Sequence, residues 1–142
     1  LYSSGLPELF YFLFMMVRHT FGKAERLKSR KSIDALFKEG QRFNVGAIRV
    51  LYRSVAQPGI RVGVGVSARQ FKLAVERNRI KRLLRESYRL QKQLLAPVTQ
   101  HCKGLDVFFI YTASAMPVYS ALAPAVEKIL IKLNTILAKN SI

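Results

Sequence analysis

Between Val75 and Arg89 the chain reads VERNRIKRLLRESYR. Arg77, Arg79, Lys81, Arg82, Arg85 and Arg89 crowd into this stretch, and Glu76 and Glu86 are its only acids. In a helix, like charges four residues apart repel by a few tenths of a kcal/mol. Such a run is not placed for stability; it anticipates a polyanion. Arg77, Lys81, Arg85 and Arg89 recur at every fourth residue, which spaces neighbours about 6 Å apart on a helix surface. That is close to the separation of successive phosphates on a nucleic-acid strand. Guanidinium groups offer a planar fork to phosphate oxygens, and lysine adds a point charge. Asn78, between two arginines, both donates and accepts, and so suits a sugar, a base edge or a hydrated metal ion on phosphate. The competing reading is a solvated face closed by salt bridges, but two acids cannot neutralise the bases around them.

No catalytic constellation accompanies these residues. Glu8, Glu25, Asp34, Glu39, Glu76, Glu86, Asp106 and Glu127 contain no DxD-type cluster for Mg²⁺. GVGVSA (Gly63–Ala68) has the spacing of neither a dinucleotide loop nor a P-loop. The single cysteine, Cys102, can form no intrachain disulfide, and with His19 and His101 it leaves too little for a Cys/His zinc site. His101-Cys102 falls in an expected loop with no third group to orient the imidazole. Catalytic residues and protein-bound metal are therefore expected to be absent. A chain that handles RNA without catalytic groups is a binder, or the helper of a catalyst made of something else.

Composition points the same way. Twenty-four Lys and Arg against eight Asp and Glu leave a net charge of +16 over 142 residues. A field of this size draws nucleic acid or an anionic membrane surface. Half the residues are hydrophobic, including nine Phe and six Tyr, enough for the core of one domain. Lone-cysteine usage suits a reducing, cytoplasmic setting. The run LPELFYFLFMMV (Leu6–Val17) is apolar but falls short of the ~20 residues a membrane helix needs. With Glu8 near its start and Arg18-His19 after it, it does not resemble a secretory signal. Residues 1–15 are expected to be an N-terminal extension outside the fold. Residues 16–142 then form a single RNA-binding domain, with no stable membrane association.

The elements that must position the basic run are partly legible. SIDALFKEG (Ser32–Gly40) predicts a helix, with Ser32 able to cap it and Gly40 to close it. GAIRVLYRSV (Gly46–Val55) alternates Ile48, Val50 and Tyr52 against Arg49, Leu51 and Arg53, a strand with one wetter face. After the turn at Gln57–Gly59, Ile60–Ala68 predicts a second strand, the hairpin partner of the first. Gly63 and Gly65 share a face of it, where something can approach the backbone closely. A further strand can lie in Arg42–Gly46. A long helix is predicted from about Phe71 to Leu95, ended by Pro97, with Ile80, Leu83, Leu84 and Tyr88 as its apolar stripe. LDVFFIYTA (Leu105–Ala113) predicts a central strand buried on both faces. Ser120–Asn140 predicts a final amphipathic helix, provided Pro124 falls near its first turn. The fold class is an α+β two-layer sandwich: a small mixed sheet with helices on one face.

RVGVGVSARQFKLAVERNRIKRLLRESYR (Arg61–Arg89), with RNRIKRLLRE at its centre, closely resembles the signature of the bacterial ribonuclease P protein subunit. RLKSRKSIDALFKEG (Arg26–Gly40) and LDVFFIYTASAMPVYSAL (Leu105–Leu122) extend the resemblance to about residues 20–140. It implies parallel strands joined by a left-handed βαβ crossover, the opposite of the general right-handed rule. It implies a role in removing the 5′ leader from precursor tRNA, with the RNA subunit as catalyst and Mg²⁺ acting through that RNA. The implied partners are ribonuclease P RNA and the leader. Carried over by position, Ile33, Phe37 and Tyr52 would line a leader groove, with Arg77, Asn78, Lys81 and Arg85 on its other side. Arg79, Arg82 and Arg89, with Arg26, Lys28 and Arg30, would contact the RNA subunit. Two departures stand out. Ile33 occupies a position where an aromatic is common, and Lys72-Leu73 replaces the usual Gly-Asn before the basic helix. The alternative is a general RNA-binding or ribosomal-type protein with no role in cleavage, which would hold precursor and mature tRNA alike.

Overall fold

The computed structural model describes residues 21–140; the apolar run Leu6–Val17 and the proposed extension lie outside them. Three helices, α1 (Arg30–Glu39), α2 (Ala74–Gln91) and α3 (Tyr119–Asn140), surround four strands, β1 (Gln41–Val45), β2 (Ile48–Val55), β3 (Gly59–Val66) and β4 (Gly104–Tyr111). The sheet order is β1-β2-β4-β3. β1 and β2 are antiparallel, β2 and β4 are antiparallel, and β3 runs parallel to β4. The α+β class and the mixed sheet are as expected, and β3–α2–β4 is the βαβ unit.

The strand after Gln57–Gly59 is not the hairpin partner of β2. That partner is β1, joined through Gly46 in the left-handed region at φ 56°, where glycine carries no steric cost. β4 lies between β2 and β3 because its run VFFI is apolar on both faces and belongs inside the sheet. The connection from β2 to β3 must therefore pass over the start of β4. A Cβ on Gly104 would lie 1.8 Å from the Gln57 carbonyl oxygen, so only glycine fits beneath it. Arg61 pins the same loop. Its Nε donates to Asp106 Oδ1 at 2.9 Å, and its other nitrogens donate to the carbonyls of Pro58 and Gln57.

Strand alternation divides the apolar residues between two faces. Ile48, Val50 and Tyr52 join Val62, Leu105, Val107, Phe109 and the stripes of α2 and α3 in the main core. Leu51 points the other way and is buried against Leu27 and Leu36, with Ile33, Phe108 and Ile110 beside them. Helix α1 thus covers the face opposite α2 and α3, rather than sharing one side with them. Burying side chains such as Leu36 and Leu51 contributes about 1.5–3 kcal/mol each. It also explains why Leu51 is dry between the wetter Arg49 and Arg53.

Helix ends differ from expectation in physical detail. Ser29, not Ser32, caps α1, its hydroxyl accepting from the Ser32 N–H. Gly40 closes it, and a Cβ there would lie 2.4 Å from the Leu36 carbonyl oxygen. Helix α2 stops at Gln91 and passes through two 3-10 turns, Lys92–Leu94 and Ala96–Gln100, so Pro97 sits inside the second turn and does not terminate the helix. Pro124 lies in the second turn of α3, deeper than the first turn expected for it.

Candidate nucleic-acid interface

Helix α2 is amphipathic in charge as well as in hydropathy. Ile80, Leu84, Ser87 and Tyr88 are buried. At 100° per residue, Arg77, Asn78, Lys81, Arg82, Arg85 and Arg89 project on one flank of this buried stripe. Glu76, Arg79, Leu83 and Glu86 project on the other or over the outer surface. Arg79 is thereby set apart from the main row. Asn78, Arg79, Lys81, Arg82 and Arg85 make no hydrogen bond or ion pair with the described residues. The four cations among them are thus uncompensated by the described residues.

Two members of the row are partly engaged. Arg77 Nη1 donates to the carbonyls of Phe71 and Lys72 at 2.7 and 2.8 Å. It ties down the loop entering α2, where Lys72-Leu73 departs from the family pattern. Arg89 is paired with Glu86 on its own helix. The remaining ion pairs lie elsewhere: Arg53 with Glu39, Arg61 with Asp106 and Lys92 with Glu25. Among the described residues, Glu39, Asp106 and Glu25 thus join structural elements, and only Arg89 of the α2 row has a carboxylate partner.

The segment before α1 extends this row. Leu27 N–H donates to the Val62 carbonyl, and Arg26 bridges Val62 in parallel fashion, so the segment lies along the outer edge of β3. Phe21 packs edge-on against Tyr88 of α2, with ring centroids 5.6 Å apart. Arg26 donates to the Phe21 carbonyl, and its guanidinium lies over the Phe21 ring. It stands close enough to Arg85 that partial burial and the neighbouring guanidinium together lower the pKa of Arg85. Arg26, Lys28 and Arg30 are exposed. They carry positive charge from the α2 flank around the sheet edge to the start of α1. The division between one group of basic residues and the other therefore dissolves at Arg26 and Arg85.

The apolar residues assigned to the groove do not form one surface. Ile33 and Phe37 lie on the α1 side, but Tyr52 lies on the opposite face of the sheet. It is 6% exposed, against Phe43, with its hydroxyl donating to Gln41 Oε1 at 2.8 Å. Burial raises its pKa. Tyr52 is core, because β-strand alternation sends it the same way as Ile48 and Val50. The α2 residues likewise stand across the sheet from Ile33 and Phe37. Phe37 is 38% exposed and packs edge-on against Phe108, with centroids 5.3 Å apart. Phe108 lies in the strand whose apolar run predicts burial on both faces. It is only half-buried, and its ring lies over the Gly63–Gly65 backbone, where added Cβ atoms would come within 2.7 and 2.9 Å. The shared glycine face was the available signal, since it marks where a ring approaches the strand.

Among the described residues no three His, Cys, Asp or Glu side chains gather into a metal-holding group, and no helix is long and apolar enough to cross a membrane.

Comparison with known proteins agrees with this architecture. A family model described as Ribonuclease P matches residues 21–134. The ribonuclease P protein component of Porphyromonas gingivalis is 38% identical over 120 residues, spanning 80% of this chain and 88% of its own length. That of Nitrosococcus oceani is 38% identical over 80 residues, 56% of this chain and 67% of its own. The solved ribonuclease P protein of Thermotoga maritima superposes with a TM-score of 0.61 at 24% identity, covering 76% of this chain and 96% of that one. The Staphylococcus aureus protein gives 0.59 at 24% identity, covering 76% and 94%. With its basic α2 signature on a β1-β2-β4-β3 sheet of the same fold, the chain belongs to the bacterial ribonuclease P protein family.

Proposed function

We propose that the chain is the protein subunit of ribonuclease P and assists a catalytic RNA in removing the 5′ leader from precursor tRNA. The observation that carries this reading is the row of cations on α2, without partners among the described residues at Lys81, Arg82 and Arg85, accompanied by the neutral Asn78 and continued by Arg26. Such a row neutralises phosphates of a folded RNA and releases counterions. The half-exposed Phe37 beside Phe108 supports a second role, an apolar and aromatic surface for unstacked bases of a single strand. Binding the leader favours precursor over product, because only the precursor has it; a contact shared equally by both states would shift nothing. Mg²⁺ belongs, in this reading, to the RNA, where it supplies the activated water and stabilises charge on the phosphodiester. The protein's residues bind and orient RNA, and none transfers a proton.

The test is reconstitution. The chain is mixed with a bacterial ribonuclease P RNA, and leader removal from a precursor tRNA is followed at low Mg²⁺. Cleavage that requires both components is expected. Tight binding of precursor and mature tRNA alike, without stimulated cleavage, would assign the chain to general RNA binding.

A further inference from the structure

Where α2 gives way to its 3-10 turns, a cleft of about 400 Å³ opens between that corner, the start of β3 and the segment carrying Glu25. Ile60, Ala96 and the ring of Tyr88 make it largely apolar. Tyr88 is 3% exposed, yet its hydroxyl makes no hydrogen bond with the described residues. The Oε1 atom of Gln93, another lining residue, likewise lacks a donor. The Gln93 oxygen is fully enclosed, whereas the Tyr88 hydroxyl keeps contact with the cleft and is open to a partner there. Burial, and then the Glu25 carboxylate, push the Tyr88 phenol well above its ordinary range, which keeps it a donor. The Lys92–Glu25 ion pair forms the polar part of the lining, and Arg85 lies one helical turn before Tyr88, within the electrostatic reach of Arg26.

We propose that this cleft receives the base of an unstacked nucleotide of the bound RNA, with the Arg26–Arg85 pair taking an adjoining phosphate. The chemistry fits a nucleobase. Its flat apolar faces suit Ile60 and the Tyr88 ring, and its polar edge offers an acceptor for the Tyr88 hydroxyl. RNA is read in this way, by splayed bases rather than through its deep groove. The inference rests on the RNA-binding reading above and adds a nucleotide site at the far end of α2 from Arg77.

The four nucleoside 5′-monophosphates, titrated at millimolar concentration into the full chain, test it by NMR, with ribose 5-phosphate as control. At least one nucleotide is expected to shift the signals of Ile60, Ala96 and Thr99, while ribose 5-phosphate leaves them unmoved. Tyr88→Phe, which removes only the hydroxyl, is expected to weaken that nucleotide about fivefold, the worth of one neutral hydrogen bond. Ala96→Phe, at an exposed lining position, is expected to abolish it by filling the cleft. Shifts confined to arginine side chains, no shifts, or wild-type affinity in both variants would overturn the proposal. A wild-type chain that fails to stimulate cleavage counts against the functional reading. A chain that stimulates cleavage but leaves the cleft signals unmoved counts against the cleft alone.

Discussion

The two faces of the sheet use charge in opposite ways. Beneath α1, three arginines are absorbed by the fold. Arg61 is held by Asp106 and two carbonyls, Arg53 by Glu39, and Arg42 by the Phe37 carbonyl. Along α2 and the adjoining sheet edge, Lys81, Arg82 and Arg85 have no such partners among the described residues, and the Arg26 charge acts unfavourably on Arg85. The same residue type thus stabilises one region and burdens the other. Counting basic residues cannot separate the two uses; the location of the few acids does.

Mutations can break or sharpen that contrast. The largest expected effect is on the absorbed side. Asp106 and Arg61 have side-chain exposures of 4% and 12%, so Asp106→Ala leaves a buried guanidinium without its carboxylate. A loss of about 3–5 kcal/mol in unfolding free energy is expected by chemical denaturation. Salt dependence of RNA binding by the folded fraction should not change; if it does, Arg61 belongs to the interface.

Next is Phe37→Ala, expected to weaken binding of a single-stranded leader by about 1–3 kcal/mol if a base stacks there. Equilibrium binding of leader oligonucleotides, read beside melting temperature, separates stacking from packing against Phe108. A stability loss with unchanged affinity would make Phe37 core.

Lys81→Ala and Arg85→Ala should each reduce the slope of log affinity against log salt by about one. Arg85→Ala should also leave stability unchanged or raise it by a few tenths of a kcal/mol, since it relieves repulsion from Arg26. Titrations across salt concentrations, with unfolding curves on the same proteins, check both. A marked loss of stability would show that the row is structural.

The smallest effect is expected at Tyr52→Phe. It removes one hydrogen bond to Gln41, worth about 1 kcal/mol or less in stability, and should leave leader affinity unaltered. Weakened leader binding would return Tyr52 to the groove.

Much of the fold was legible. The helices and most strands follow from periodicity, and β4 was recognisable as central from its unbroken apolar run. Pairing was not. Local sequence around Gln57–Gly59 reads as a hairpin turn, and nothing local reveals that the strand starting at Gly104, 45 residues after Gly59, will lie between its arms. The candidate site divides similarly. The α2 row is visible as i,i+4 spacing within a single element. The grouping of Ile33, Phe37 and Tyr52 failed because it joined residues on two elements without knowing which face of the sheet α1 would cover.

By itself, then, the chain's order of residues determined the excess of positive charge, its concentration on one flank of one helix, and the likeness to the ribonuclease P protein family. These are properties of composition and of spacing within an element, where backbone geometry alone relates one side chain to the next. Only tertiary structure decided that Arg61 is a latch while Arg85 is uncompensated, that Arg26 continues the α2 row, and that Phe108 rather than Tyr52 stands beside Phe37. Each depends on which distant segments pack together, and packing is settled by the burial of whole apolar faces rather than by any local signal.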